Sequence, residues 1–273
     1  MRASKYTVRN FLPLMAAAVI PAVIVGLLIS PTEPAAFFVD YIRGRGMGQG
    51  EFAGYFFGGR VPMYHIYPVI LIFLSIVIGG SIIISAIEKH MRVGVMSVRS
   101  PLKLFNSGAV PAAITLFIWM LMFLLFRFVA FGLALLINLA FGGVFGLAAV
   151  FVIITYAGLL VLFFTLSAPL LLWTPCMMIY GYKFSDAAST SFRMAGKRIR
   201  PLILAQIIPV AVLFGARIAA ELIFAPVAWP AALIFDILSV LVLLMYFCVL
   251  IAVAYFDLAE IERRDIKSIS YKL

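Results

Sequence analysis

The sequence predicts an all-α, polytopic membrane bundle: one integral membrane domain over 1–273, with about six transmembrane helices arranged as three hairpins and short interfacial helices. Three observations predict it. The chain is 65% apolar and only 12% charged, with a mean hydropathy of +1.17, whereas a soluble domain is about half apolar and a quarter charged. Its apolar runs are long and continuous rather than alternating. Hydrocarbon demands that every backbone N–H and C=O be bonded within helices or a closed barrel, and continuous runs select helices. Charge is also one-sided. With the spans placed as below, the segments on one side carry 16 of the 21 Lys and Arg residues and six acids, which accounts for the whole net charge of +10. Cytoplasmic loops of membrane proteins carry this excess, so the basic balance marks topology and implies no nucleic-acid partner.

Arg2, Lys5 and Arg9 precede the first run, 11–30, which is long enough to span uncleaved with its N-terminus inside. Pro13 and Pro21 shape its first turn or kink it. Residues 31–65 form the long outer loop, rich in Phe, Tyr and Gly, with interfacial helices expected over 35–42 and 51–57. The glycines at 44, 46, 48 and 50 read as a hinge, because no strand precedes them and no Lys-Ser/Thr follows, as a phosphate loop requires. The second span is 66–87, and the inner loop 88–108 carries Lys89, Arg92, Arg99 and Lys103. The third span is 109–137, and Gly142-Gly143 mark the outer turn that follows.

The fourth run, 146–180, is too long for a straight span. At about 1.5 Å per residue it would reach about 52 Å, against about 30 Å of hydrocarbon. A break is expected near Pro169, with the rest bending along the inner interface. The linker 183–201 then sets Lys183, Arg193, Lys197, Arg198 and Arg200 against one acid, Asp186. Ser185 is expected to cap a helix there, with Asp186 in its first turn. Ala188, Phe192, Ala195 and Ile199 fall on one helical stripe. The cations lie off that stripe, which makes Arg193, Lys197, Arg198 and Arg200 candidate contacts for anionic lipid. Span five is 201–224, a turn lies around Pro226–Pro230, and span six is 231–256. The cytoplasmic tail 257–273 is expected to continue span six as a helix, with Glu260 and Arg264 at i,i+4. Pro13, Pro111 and Pro201 each follow a short polar or basic entry segment, which is the basis for three hairpins.

Four ionisable residues fall within spans: Arg127, Arg217, Glu221 and Asp236. Isolated charges in hydrocarbon cost at least about 2.5–3.5 kcal/mol, so such residues pair, snorkel or line a polar cavity. Counting helix rise puts all four at similar depth in the outer half. The reading is a charge cluster in which Asp236 meets Arg127 or Arg217. Cys176 and Cys248 imply no disulfide framework, and His65 and His90 lie at opposite faces, so no metal site is assembled. No catalytic or cofactor-binding motif is present.

Residues 186–197, DAASTSFRMAGK, and the span-six ending AYFDL at 254–258 resemble segments of bacterial six-span integral membrane proteins of poorly defined function, including the membrane domain attached to some glycerophosphodiester phosphodiesterases. The resemblance implies a six-helix bundle in a bacterial inner membrane. The acidic metal ligands of the phosphodiesterase domain have no counterpart here, so its activity is not implied. The expected function is a non-enzymatic scaffold or an assembly and envelope-homeostasis partner, in contact with a membrane-protein partner and anionic lipid. The alternative is a small-solute transporter using a polar cavity in the outer half of the bundle.

Overall fold

The computed structural model describes residues 2–32, 34, 35, 38, 39, 43, 66–94, 96, 101–141, 145–224 and 229–261. The expected helix over 51–57, the glycines at 44–50, His65, Gly142-Gly143, the turn residues 225–228 and the tail beyond Ile261 lie outside them. Among the described residues there are helices and no strand. They are α1 (Arg2–Arg9), α2 (Phe11–Leu28), α3 (Ile66–Val93), α4 (Pro101–Phe141), α5 (Phe145–Ser167), a 3-10 turn (Leu170–Leu172), α6 (Trp173–Tyr180), α7 (Phe184–Lys197), α8 (Ile199–Phe224) and α9 (Trp229–Leu258). Among the described residues, six stretches are long and apolar enough to cross a membrane: Phe11–Leu28, Tyr67–Val93, Gly108–Phe141, Val150–Ile179, Ile199–Phe224 and Trp229–Leu258. The chain is a multi-pass, all-α bundle.

The centre is built from α2, α3 and α9, which pack against one another. Small residues let these backbones approach, as they do where lipid gives no hydrophobic reason for helices to associate. Ala18 and Ala22 of α2 are fully buried. A Cβ on Gly26 would come within 2.8 Å of the Ile237 Cα, and one on Gly79 would run into the Pro21 ring. The α4–α5 hairpin lies beside α3 and is joined by aromatic side chains: Phe163 takes edge or tilted contacts with Trp119, Phe123 and Phe126. α8 closes the bundle through lighter packing on α5 and α9.

The fourth run breaks where its length demands. α5 ends at Ser167, Pro169 leads into the 3-10 turn, and α6 resumes with Pro175 in its first turn, where a missing N–H costs no helical bond. Every residue from Ser167 to Cys176 is buried. Non-helical backbone at membrane depth is tolerated when protein surrounds it in this way.

Two local expectations are corrected, at the N-cap of α7 and at the end of α9. The buried residues of α7 are Ala187, Ser191 and Ala195, while Phe192, on the apolar stripe, is 56% exposed. Small side chains allow close approach to α6 and the 3-10 turn, and the phenyl ring is left outside. The N-cap of α7 is Lys183 without a side-chain cap, so Ser185 sits inside the first turn together with Asp186. α9 stops at Leu258 instead of running on through Glu260. Glu260 takes φ 56°, and the Ile261 N–H closes on the Phe256 carbonyl at 3.1 Å, a Schellman-type end. The entry segments also differ from one another. α1 and α7 are separate helices ahead of their spans, whereas the residues before Pro111 are continuous with α4.

Candidate functional site

At the end of the bundle where α2 leaves and α9 begins, polar side chains are buried together. Pro31 ends the first span, and the next residue, Thr32, turns inward. Its Oγ1 donates to Asp236 Oδ1 at 2.6 Å, with both residues essentially inaccessible. A short hydroxyl-to-carboxylate bond of this kind is among the stronger hydrogen bonds. On α8, Arg217 Nη2 and Glu221 Oε1 lie 2.7 Å apart, one turn from each other and both buried. The Arg217 guanidinium stands 5.9 Å from the ring of Phe235, the neighbour of Asp236 on α9. Arg43 Nη2 donates to the Glu221 carbonyl at 3.0 Å, satisfying one of the carbonyls that the last turn of α8 leaves open.

The structure therefore divides the four predicted charges. Arg217 and Glu221 form a pair, with Asp236 beside them on the next helix. Arg127 is half-buried on α4, its guanidinium 4.9 Å from the Phe123 centroid. Among the described residues no ion pair joins Asp236 to Arg127 or Arg217. The i,i+4 geometry of α8 gives Arg217 a local carboxylate, and Thr32 supplies Asp236 with a donor. Arg217 Nε and Nη1 and Ser239 Oγ are buried with no hydrogen-bond partner among the described residues.

A second set of polar contacts falls at helix interruptions, and sequence reasoning missed it. Gln206 is wholly buried. Its Oε1 accepts from Ser167 Oγ at 3.0 Å, and its Nε2 reaches the Phe164 carbonyl at 3.4 Å and the Leu202 carbonyl at 3.2 Å. α8 thus bonds the end of α5 where that helix breaks. Pro209 removes the N–H that would bond the carbonyl four residues earlier, that of Ala205. The Tyr246 hydroxyl of α9 donates to that carbonyl at 2.9 Å. The lone amide in span five and the proline offset were both visible in the sequence; the donor on span six was not. Thr174 of α6 likewise meets Thr115 of α4 at 3.0 Å.

At the opposite end lie the basic linker and α1. His90 is held by the Tyr6 hydroxyl at 2.6 Å, which ties α1 to the last turn of α3. Arg193, Lys197, Arg198 and Arg200 are all exposed. Arg193 and Lys197 project from the side of α7 away from its buried stripe. Cys176 and Cys248 are buried free thiols, and among the described residues no three metal-ligating side chains converge. A crevice lined by Ile84, Glu88, Pro175, Met178, Ile179, Ala252 and Phe256 is too narrow for a water molecule.

No protein-family model, characterised protein or solved structure matches the chain.

Proposed function

We propose that the chain is a non-enzymatic membrane scaffold, an assembly or envelope-homeostasis partner of another membrane protein. The observation that carries this reading is the uneven use of its helix surfaces. In the most apolar stretch of each span, 56% of residues are buried in α3 and α9, against 17% in α4, 22% in the fourth span and 17% in α8. Spans three and four thus present broad apolar faces, including Leu121, Leu125 and Phe128 on α4 and Ile154 and Leu162 on α5. Such a face receives lipid or a partner helix, and the reading assigns it the helix. The charge asymmetry and the resemblance noted above support a bacterial inner membrane with both termini cytoplasmic.

Photo-crosslinking residues placed at Leu125 and Ile154 test the reading in cells. A discrete protein adduct is expected there and not from the same probe at Lys183. Lipid adducts alone at both positions overturn it. Cysteines at Gln49 and Ser189 test the orientation, with labelling of intact cells expected at the first alone.

A second reading, a small-solute transporter, is favoured by the two Arg217 nitrogens that lack partners beside a span with a broken backbone. It requires water at that depth. A cysteine replacing Ser239 would then react with a small aqueous thiol reagent in sealed vesicles, and inertness there excludes it.

A further inference from the structure

The corner between α7 and α8 combines two features that the basic linker alone does not reveal. Arg198 leaves the helical region, with φ −144° and ψ 45°, and turns the chain from the surface helix into span five. Arg200 lies in the first turn of α8. Steps of four residues below it lead to Leu204, Ile208 and Val212 on one side of the helix. These are 57%, 57% and 64% exposed, so this side of α8 faces lipid. Arg200 therefore heads a lipid-facing stripe, at the level where long cations reach headgroups.

Further along the same face Ala211, Gly215 and Ala219 are also exposed, and nothing lies within 4 Å of where a Cβ on Gly215 would stand. From Arg200 to Val212 the helix rises about 18 Å, close to the depth of one leaflet of a core about 30 Å thick. Lys197 and Arg193 add positive charge on the adjoining turns of α7. None of the four cations has an ion pair or side-chain hydrogen bond among the described residues. No acid occurs between Asp186 and Glu221.

From this juxtaposition we infer that the corner is a binding site for one anionic phospholipid. Its phosphate sits on Arg198 and Arg200, with Lys197 and Arg193 completing the positive rim. Its acyl chain follows Leu204, Ile208 and Val212. The inference is independent of the scaffold reading, since a lipid site serves a transporter equally well.

The test is lipid retention by the full-length protein, released from nanodiscs containing phosphatidylglycerol and phosphatidylcholine and counted by native mass spectrometry. The wild type is expected to retain phosphatidylglycerol selectively. Removing one basic residue is worth roughly a fivefold loss, so Arg198→Gln with Arg200→Gln should lower retention by more than tenfold. Lys183→Gln, on the same linker but away from the corner, should leave it within twofold. Gly215→Leu, about 22 Å along the helix from Arg200 and past the depth of one leaflet, should leave retention within twofold. Equal retention of both lipids, an unchanged double variant, or an effect of Lys183→Gln equal to that of the pair overturns the site. Displacement of the lipid by millimolar inorganic phosphate shows a simple phosphate site and also overturns it. Both helices retain their buried faces in these variants, and an unchanged melting temperature checks that the fold is intact.

Discussion

α8 and α9 are neighbours of similar length, yet they are held by different forces. The buried residues of α9 are mostly apolar, among them Val240, Leu241, Met245, Val249 and Phe256, and it packs on α1, α2 and α3 as well as α8. The buried residues of α8 are Leu202, Gln206, Arg217 and Glu221, so three of the four are polar. Dispersion between closely approached helices fixes span six. Hydrogen bonds to neighbouring helices hold span five, whose apolar side chains are turned toward lipid, and an ion pair within α8 neutralises its buried charges. Within a bilayer both solutions work, because a polar group without a protein partner finds no water to replace it. They predict different sensitivities to substitution.

The largest effect is expected at Arg217. Arg217→Gln leaves Glu221 buried without its cation, and breaking a buried pair on one side typically costs about 3–5 kcal/mol. The melting temperature in mild detergent should fall accordingly. Arg217→Gln combined with Glu221→Gln should recover much of the loss. Additive losses would mean that the pair is no determinant of stability and that span five is held otherwise.

The next effect is steric and belongs to α9. Gly26→Ala places a methyl group 2.8 Å from the Ile237 Cα and Cγ1. Backbone cannot yield as a flexible side-chain end can, so overpacking of about 1–3 kcal/mol is expected. Gly158→Ala on α5 meets open space and should cost nothing, with a gain of up to about 1 kcal/mol from helix propensity. Equal melting temperatures for the two variants would remove the argument that close packing holds the central helices.

Gln206→Leu tests the polar side of the comparison at the break in span four. It preserves volume but removes the link from α8 to the end of α5, leaving the Ser167 hydroxyl only the Phe164 carbonyl of its own helix at 3.3 Å. The expected cost is about 1–3 kcal/mol, together with faster hydrogen exchange at 165–172. Unchanged exchange there would show that Gln206 is not what holds the interruption.

The sequence made some of this legible. Continuous apolar runs separated by charge located the six spans within a few residues, and run length against bilayer thickness located the break at Pro169. The buried face of α7 was not legible, because hydrophobicity ranks Phe192 above Ser191 while Ser191 is the buried one. At a membrane surface the lipid receives the ring, and the protein interface receives the small residue. Asp236 was matched to the arginines by depth, but depth says nothing of direction around a helix. The hydroxyl that Thr32 brings to it from the turn after Pro31 was not read from the sequence. Gln206 was passed over because an amide carries no charge to flag it, although in hydrocarbon it needs partners almost as much.

The smallest predicted effect is also the most specific. Tyr246 donates to the Ala205 carbonyl, which is open because Pro209 has no N–H to offer. Tyr246→Phe removes that donor, and the loss expected for one such bond is about 1 kcal/mol. Pro209→Ala restores a backbone N–H within reach of the same carbonyl. In a Pro209→Ala background, Tyr246→Phe should therefore cost markedly less, and a double-mutant cycle in melting free energy should show positive coupling of about 0.5–1 kcal/mol. Zero coupling would mean that the hydroxyl acts only as local polarity. In that case the proline in span five would be tolerated by bending of α8, and the polar attachment of span five to span six would rest on Arg217 alone.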